Sequence, residues 1–381
     1  MHRKTGSDKT AEAVAELSRL FTKERTALSH RYLDDIQLAD AYLRYFLPVN
    51  LSKIQVLLDE LPVDQLLGSD RSSLSVLDLG SGPGTGALAM LDWLYQHDAK
   101  CAGNLTVVAA DSSTAALKQA RQLWSSYCQA SGVIGARLTL CEANLERPLD
   151  GTSMSQIRKS GSYDLIIMAN CLNELFINAK DPIGARTDWV SGLLPLLAPH
   201  GTMMLVEPAL RNTSRELQQV RDRLVQGKRC TVYSPCLHEN NCPALVNPDD
   251  WCHEERAWEP PDAIQAIDQE VGFIKDALKF SYQLLRTDGR TIVERQSDIY
   301  RVVSQLRELK GEKRAWLCNE TGRPEIGRQD RLASPENAAV DDWHRGAIVQ
   351  IERIVRKEKG GKVSALGRIE RDVVVKIVRP I

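Results

Sequence analysis

Thiols are the side chains in this sequence whose spacing most clearly invites inorganic chemistry. Cys236, Cys242 and Cys252 crowd into SPCLHENNCPALVNPDDWCHEE, and Cys318 follows in WLCNETGRPE. Thiolates six and ten residues apart converge if the chain between them loops, and Pro235, Pro243 and Pro248 with Asn240, Asn241 and Asn247 favour looping. Such a stretch has little capacity for a core of its own, so a bound metal would supply its folding free energy. The spacing departs from the C-x-x-C knuckle common in structural zinc sites. Four widely spaced thiolates suit an iron–sulfur cluster, and Cys242-Pro243 carries the proline that often follows a cluster cysteine. His238 and His253 keep a Cys/His zinc site open as the alternative. Cys230, six residues before Cys236, is read as a bystander.

A second chemistry lies upstream, in VLDLGSGPGTGA from Val76 to Ala87. An apolar run ending near Asp78, then Gly80, Gly82, Gly84 and Gly86, lets the backbone approach a ligand and aim amide N–H groups at it. Asp111, at the tip of the next apolar run, can accept hydrogen bonds from both hydroxyls of a ribose. Asn144 could read an adenine edge with Leu145 packing on its face, and Asn170 would face the reactive end of the cofactor. The strict G-x-G-x-x-G spacing fails because Thr85 stands where the third glycine is required. The looser D-x-G-x-G-x-G form resembles the first motif of S-adenosylmethionine (SAM) methyltransferases, and Asp111 and YDLIIMAN follow in that family's order. Methyl transfer is in-line displacement at a sulfonium, which asks mainly for positioning. NCLNELF lacks the N-P-P-Y or D-P-P-Y signature of amino-directed enzymes and the Pro-Cys motif of pyrimidine-C5 enzymes. Cys171 reads as core packing, and Glu174 and Glu207 as helix-cap or surface groups ahead of the alternative that they serve as acids or bases. No catalytic residue is named, and turnover stays an open question.

These residues need elements to hold them. Residues 10–67 carry apolar side chains three and four apart and read as flanking helices, with Pro48 marking a kink or break. From Ser75, apolar strands alternate with helices: SVLDLG, LTVVAAD, ARLTLCEANL, YDLIIMANCL and GTMMLVEPA are the strands. Ser112 or Ser113 caps the second helix. This pattern predicts an α/β fold with a doubly wound, mainly parallel, Rossmann-like sheet. After Leu210 the regularity fails. PDAIQAIDQEVGFIKDALKFSYQLL reads as helical, which puts a long helical interval before Cys318, and TIVERQSDIYRVVSQL reads as a strand. From Asp342 the pattern is β-rich around a turn at KEKGGK. The expected organisation is a helical N-terminal region (1–70), a cofactor domain (71–225), a Cys-rich segment with helices (226–330) and a basic β-rich unit (331–381).

Composition narrows the partners. A net charge of −1 over 381 residues excludes a polycation, so nucleic-acid binding must come from local patches. Between residues 345 and 381, ten Lys or Arg stand against four acids, a local surplus that can supply phosphate contacts. Apolar runs such as LIIMA are too short to span a bilayer. Nine cysteines, five of them scattered, argue for a reducing compartment over a secreted disulfide framework. The N-terminal residues show no apolar signal core. The expectation is a cytoplasmic monomer with no membrane partner.

AYLRYFLPVN, VLDLGSGPGTGA, NCLNEL, the PCLHENNCPAL…WCHEE stretch and YRVVSQLRELKGEKRAWLCNETG, in that order, resemble the methyltransferase-like proteins of the small ribosomal subunit, whose mitochondrial members act in its assembly. The resemblance runs from roughly residue 25 onward. It implies a SAM-binding protein that acts on the small subunit or its rRNA. It further implies a [4Fe–4S] cluster whose ligands fall on Cys236, Cys242, Cys252 and Cys318. Asn144 departs from the aspartate commoner at that place. The alternative kept beside it is an active methyltransferase, on RNA or another substrate, with structural zinc and no ribosome link.

Overall fold

Near-continuous burial marks four of the five apolar runs as strands covered on both faces, while the edge run Arg137–Glu142 is buried only at Cys141. The computed structural model describes residues 6–24, 32–62, 73–147, 155, 157, 158, 161–359 and 362–380. The runs form β1 (Leu74–Leu79), β2 (Leu105–Asp111), β3 (Arg137–Glu142), β4 (Tyr163–Ala169) and β5 (Leu197–Pro208), parallel in the order β3-β2-β1-β4-β5. Three further strands complete this sheet: β6 (Thr231–Ser234), β7 (Glu254–Ala257) and β8 (Ala277–Arg286). β8 runs antiparallel to β5, and β6 and β7 pair with different stretches of β8.

Nine helices, counted among the described residues, flank or cap the sheets: α1 (Gly6–Thr22), α2 (Ile36–Ala41), α3 (Leu47–Leu58), α4 (Thr85–His97), α5 (Ala99–Gly103), α6 (Thr114–Ser131), α7 (Pro182–Leu193), α8 (Arg211–Gln226) and α9 (Asp262–Val271). One core joins α3 and α4 to the sheet through Ile54, Leu57, Met90 and Trp93; the other packs α7 and α8 on the opposite face through Trp189, Val190, Leu217 and Leu224. Ser113 caps α6 by accepting from the Ala116 N–H at 3.1 Å. Pro48 sits in the first turn of α3, and the α-helical run is interrupted just before it by a π-turn at Tyr42–Phe46 that joins α2 to α3. Among the described residues no helix is long and apolar enough to cross a membrane.

A second, curled sheet follows: β9 (Ile299–Val302), β10 (Arg307–Leu309), β11 (Glu312–Cys318), β12 (Glu325–Gln329), β13 (Ile348–Ile351), β14 (Val355–Lys359), β15 (Lys362–Arg368) and β16 (Val375–Arg379), in the order β14-β15-β12-β11-β9-β13-β16 with β10 on β11. It closes on Val302, Leu317, Ile326, Trp343 and Val349.

Three expectations change. The stretch 261–285 is helical only over Asp262–Val271; Gly272, at φ +77°, ends that helix, and the rest becomes β8. The interval before Cys318 is therefore largely β, and of TIVERQSDIYRVVSQL only Ile299–Val302 is strand. The segment 226–330 supplies strands to both sheets.

Candidate functional site

The strand order reverses between β1 and β4, and ligands of open α/β sheets bind at such a switch point, beyond the carboxyl ends of the strands. A cleft of about 650 Å³ lies there. Gly80, Gly82, Asp111, Asn144, Leu145 and Asn170 line it, whereas Asp78 and Gly84 do not. Asp111 ends β2; its carboxylate accepts from the Gly82 N–H at 2.8 Å and the Ser113 N–H at 2.9 Å. Burial raises its pKa against the pull of those amides. Asn144 stands two residues past β3 and accepts from the Glu146 N–H at 2.9 Å; Asn170 follows β4 with φ +57°. Asp78 is buried behind the turn, where its carboxylate accepts from the Ala87 N–H at 2.9 Å and ties the turn to α4. Gly80 has φ +65°, and a Cβ there would stand 2.6 Å from the Cys171 Cβ, so the turn needs glycine for both backbone and space.

Several lining groups lay outside the sequence reading. The N-terminal helices do more than flank: Phe21, Tyr32, Tyr42, Phe46, Asn50 and Lys53 form one wall of the cleft. Their signal was the aromatic crowding of AYLRYF, which reads equally well as core. Cys171 also lines the cleft rather than only filling core, and burial followed by the nearby Glu207 carboxylate pushes its thiol pKa well up. Glu207 is buried at the end of β5, not a surface group: both carboxylate oxygens accept from Asn173, one from the backbone N–H at 3.2 Å and one from the side-chain amide. Burial raises its pKa to about 8.

The loop from Pro235 to His253 leaves the first sheet between β6 and β7, two strands that share one edge of β8. Cys236, Cys242, Cys252 and Cys318 all line one small cavity under this loop, together with His238 and His253. Cys318 arrives from the second sheet, at the end of β11, where it pairs with Arg301 of β9. Its sulfur lies 3.7 Å from His238 Nε2. Burial, then the charge of neighbouring sulfurs, pushes Cys242 up to about 12 and Cys252 and Cys318 well above the usual thiol range. All nine cysteines are free of disulfides. Among the described residues, no three Cys, His, Asp or Glu side chains stand together as a single-ion site. Cys230 is buried in the core packed by α7 and α8 and does not line the cavity.

Arginines that the sequence reading passed over hold this loop. Arg215 on α8 donates to the carbonyls of Ala244, Leu245, Asn247 and Asp250 at 2.7–3.1 Å. Arg221, fully buried, donates to the carbonyls of His238 and Asn240 and to Asp222 at 2.7 Å, while Asp222 accepts from the Cys242 N–H at 2.9 Å. Arg323 pairs with Asp250, and Arg345 donates to the carbonyls of His253 and Val303 at 3.1 and 2.7 Å. Arg301, Arg323 and Arg345 line the cavity itself.

About half of the C-terminal cations have partners within the fold, several of them at the surface. Arg353 pairs with Asp372 and Arg368 with Glu312; Arg356 donates to the carbonyls of Ser364 and Ala365, and Arg379 to those of Asp59 and Glu60. Lys357, Arg371 and Lys376 stay exposed, so the sheet still offers cations to solvent.

Among solved structures, this chain is 14% identical to the plantazolicin methyltransferase BpumL, solved in complex with SAH, over 73% of this chain and 95% of that one, with a TM-score of 0.33. An O-methyltransferase family protein from Burkholderia thailandensis is 16% identical over 74% and 68% of the two chains, with a TM-score of 0.33. The plantazolicin methyltransferase BamL, also with SAH, is 16% identical over 74% and 98%, with a TM-score of 0.34. No curated protein matches. A profile of the family described as mitochondrial small ribosomal subunit Rsm22 matches residues 36–326, from α2 through the cofactor-type cleft and the cysteine loop into β12. That span is most of the sequence, and the chain belongs to the Rsm22 family.

Proposed function

We propose that this protein binds SAM in the cleft, carries a [4Fe–4S] cluster on Cys236, Cys242, Cys252 and Cys318, and acts on the small ribosomal subunit or its rRNA. The observation that carries the cluster is the arrival of Cys318, from a different sheet, at a cavity lined by the three loop cysteines. Each iron of such a cluster binds its own thiolate, so the sulfurs stand around a group rather than on one ion. The surroundings fit. Four ligating thiolates bring more negative charge than the cluster core neutralises, and Arg301, Arg323 and Arg345 face the cavity while Arg221 lies behind it. Arg323 Nε and Arg345 Nε are buried with no hydrogen-bond partner, donors that sulfur acceptors would satisfy. Bound there, the group would tie the loop to β11 and so fix one sheet against the other.

In the cleft, Asp111 would hold the ribose, the amides around Gly80 and Gly82 would face the amino-acid part, and Asn144 and Leu145 would take the adenine. The partner is supported by family membership. Free thiols throughout suit a reducing, cytoplasmic setting. Anaerobic purification tests the reading: a brown protein with about four irons and four sulfides per chain is expected, lost in Cys318→Ser, together with co-sedimentation of the tagged parent with small subunits. A colourless, zinc-loaded parent that stays clear of ribosomal particles would overturn it.

A further inference from the structure

The two ends of the cleft differ in charge. Asp111 and Glu146 lie towards β2 and β3, where the cofactor reading places the adenosine. Across the switch point, towards β5 and β8, the wall carries Lys53, Lys275 and Lys279. Lys53 follows Phe46 and Asn50 at helical spacing, so the three share one face above the cleft. Its Nζ donates to Asn50 Oδ1 at 3.0 Å. Lys275 lies just before β8, with Nζ 4.6 Å from the centre of the Tyr45 ring. Among the described residues neither of these two lysines forms an ion pair, and Lys279 has only Glu255, at 4.0 Å. Burial, then the Lys275 ammonium, brings Lys53 down to about 7. The Asp268 carboxylate offsets part of the charge of Lys275, and Glu174 lines the same cleft; the grouped lysines remain in excess at this end, an arrangement that an anionic ligand relieves.

We propose that the β5–β8 end of the cleft is an anion subsite that holds a backbone phosphate of single-stranded RNA beside the nucleotide presented to the cofactor. This rests on the ribosomal reading above, which favours RNA over an acidic peptide. Three lysines, with Lys53 drawn into its ammonium form by an incoming phosphate, are more than the single carboxylate of the cofactor requires, and they stand across the switch point from its ribose.

Fluorescence anisotropy of a labelled single-stranded hexaribonucleotide with the full chain and SAH, over a salt series, tests the subsite. Lys53→Gln combined with Lys275→Gln is expected to weaken binding about tenfold and to flatten the dependence of log K on log salt by about 0.7 per lysine. A methylphosphonate analogue, lacking backbone charge, should bind parent and variant alike. Unchanged affinity and slope overturn the proposal. So does lost SAH affinity with RNA affinity intact, which would assign the lysines to the cofactor carboxylate. Should the double variant fail to fold, Lys53→Arg keeps the slope, and Lys279→Gln, at an exposed position, loses one contact. Because RNA affinity is read without ribosomes, a parent that fails to co-sediment with small subunits overturns the wider reading and leaves this one to its salt slope.

Discussion

Two aspartates of the same motif region do different work. Asp111 faces the cleft from the tip of β2, while Asp78 is sealed behind the glycine turn. Asp111→Ala is expected to weaken SAH binding by about 1.5–3 kcal/mol, the range for hydrogen bonds to a charged group, and to leave iron content unchanged; calorimetry with iron assay checks both. Asp78 acts on stability. Burial raises its carboxyl from the usual 3.8 to about 7, so the fold keeps a proton that the unfolded chain has released. The parent therefore loses stability as pH rises between those two values, and Asp78→Asn does not. Relative to the parent, the variant should gain about 1.4 kcal/mol per pH unit from about pH 5 to 7, then level off. Urea denaturation across that range reads it, and a flat difference would refute it. The glycines were legible because the backbone demands them, with Gly80, Gly82 and Gly84 all at positive φ. That Asp78 is sealed behind the turn was not legible, since a strand-end aspartate beside glycines reads equally well as facing a ligand.

Elements decide what the cysteines can do. Pro235, Pro243 and the asparagines made the loop readable, because they act locally. The path of Cys318 was not, since LKFSYQLL mixes helical and alternating spacing and only Gly272 hinted that the helix stops. β8 matters because it seats β6 and β7 on one edge, which lets the loop close on itself, and β9 then aligns β11 so that Cys318 reaches it. Arg215 and Arg221 hold the loop carbonyls without any metal, whereas the chain just past Cys318 meets the loop at its rim, through Arg323 on Asp250 and the Glu320 carbonyl accepting from Asn240, and the Cys318 sulfur meets His238. Iron removal by a chelator is expected to expose peptide bonds between residues 236 and 252 to limited proteolysis, mapped by mass spectrometry. SAH affinity should hold, because Asp111 sits on β2, several strands away. Identical cleavage maps with and without iron would mean that the loop is held by its arginines alone.

At the scale of the whole molecule, one carboxylate joins parts far apart in sequence. Glu60, just past α3, is buried against Arg256 of β7 at 2.6 Å, Tyr282 of β8 at 2.9 Å and Ser234 of β6 at 2.5 Å, with Arg301 of the second sheet at 3.6 Å. Glu254 answers the same two arginines at 3.1 and 2.9 Å. The carbonyls of Asp59 and Glu60 also accept from Arg379 of β16. In the sequence Glu60 looks like any solvated helix-end acid in LLDELP, because every partner lies more than a hundred residues away. Two carboxylates and two guanidiniums balance there; removing one carboxylate leaves a buried cation uncompensated. Glu60→Ala is expected to lose about 3–5 kcal/mol in denaturant unfolding, the range for breaking a buried pair from one side. Asp372→Ala removes the exposed partner of Arg353 and should leave the midpoint essentially where it was, since water screens such a pair. Equal shifts in the two variants would mean that the Glu60 junction adds no more to the joining of the two sheets than a surface contact does.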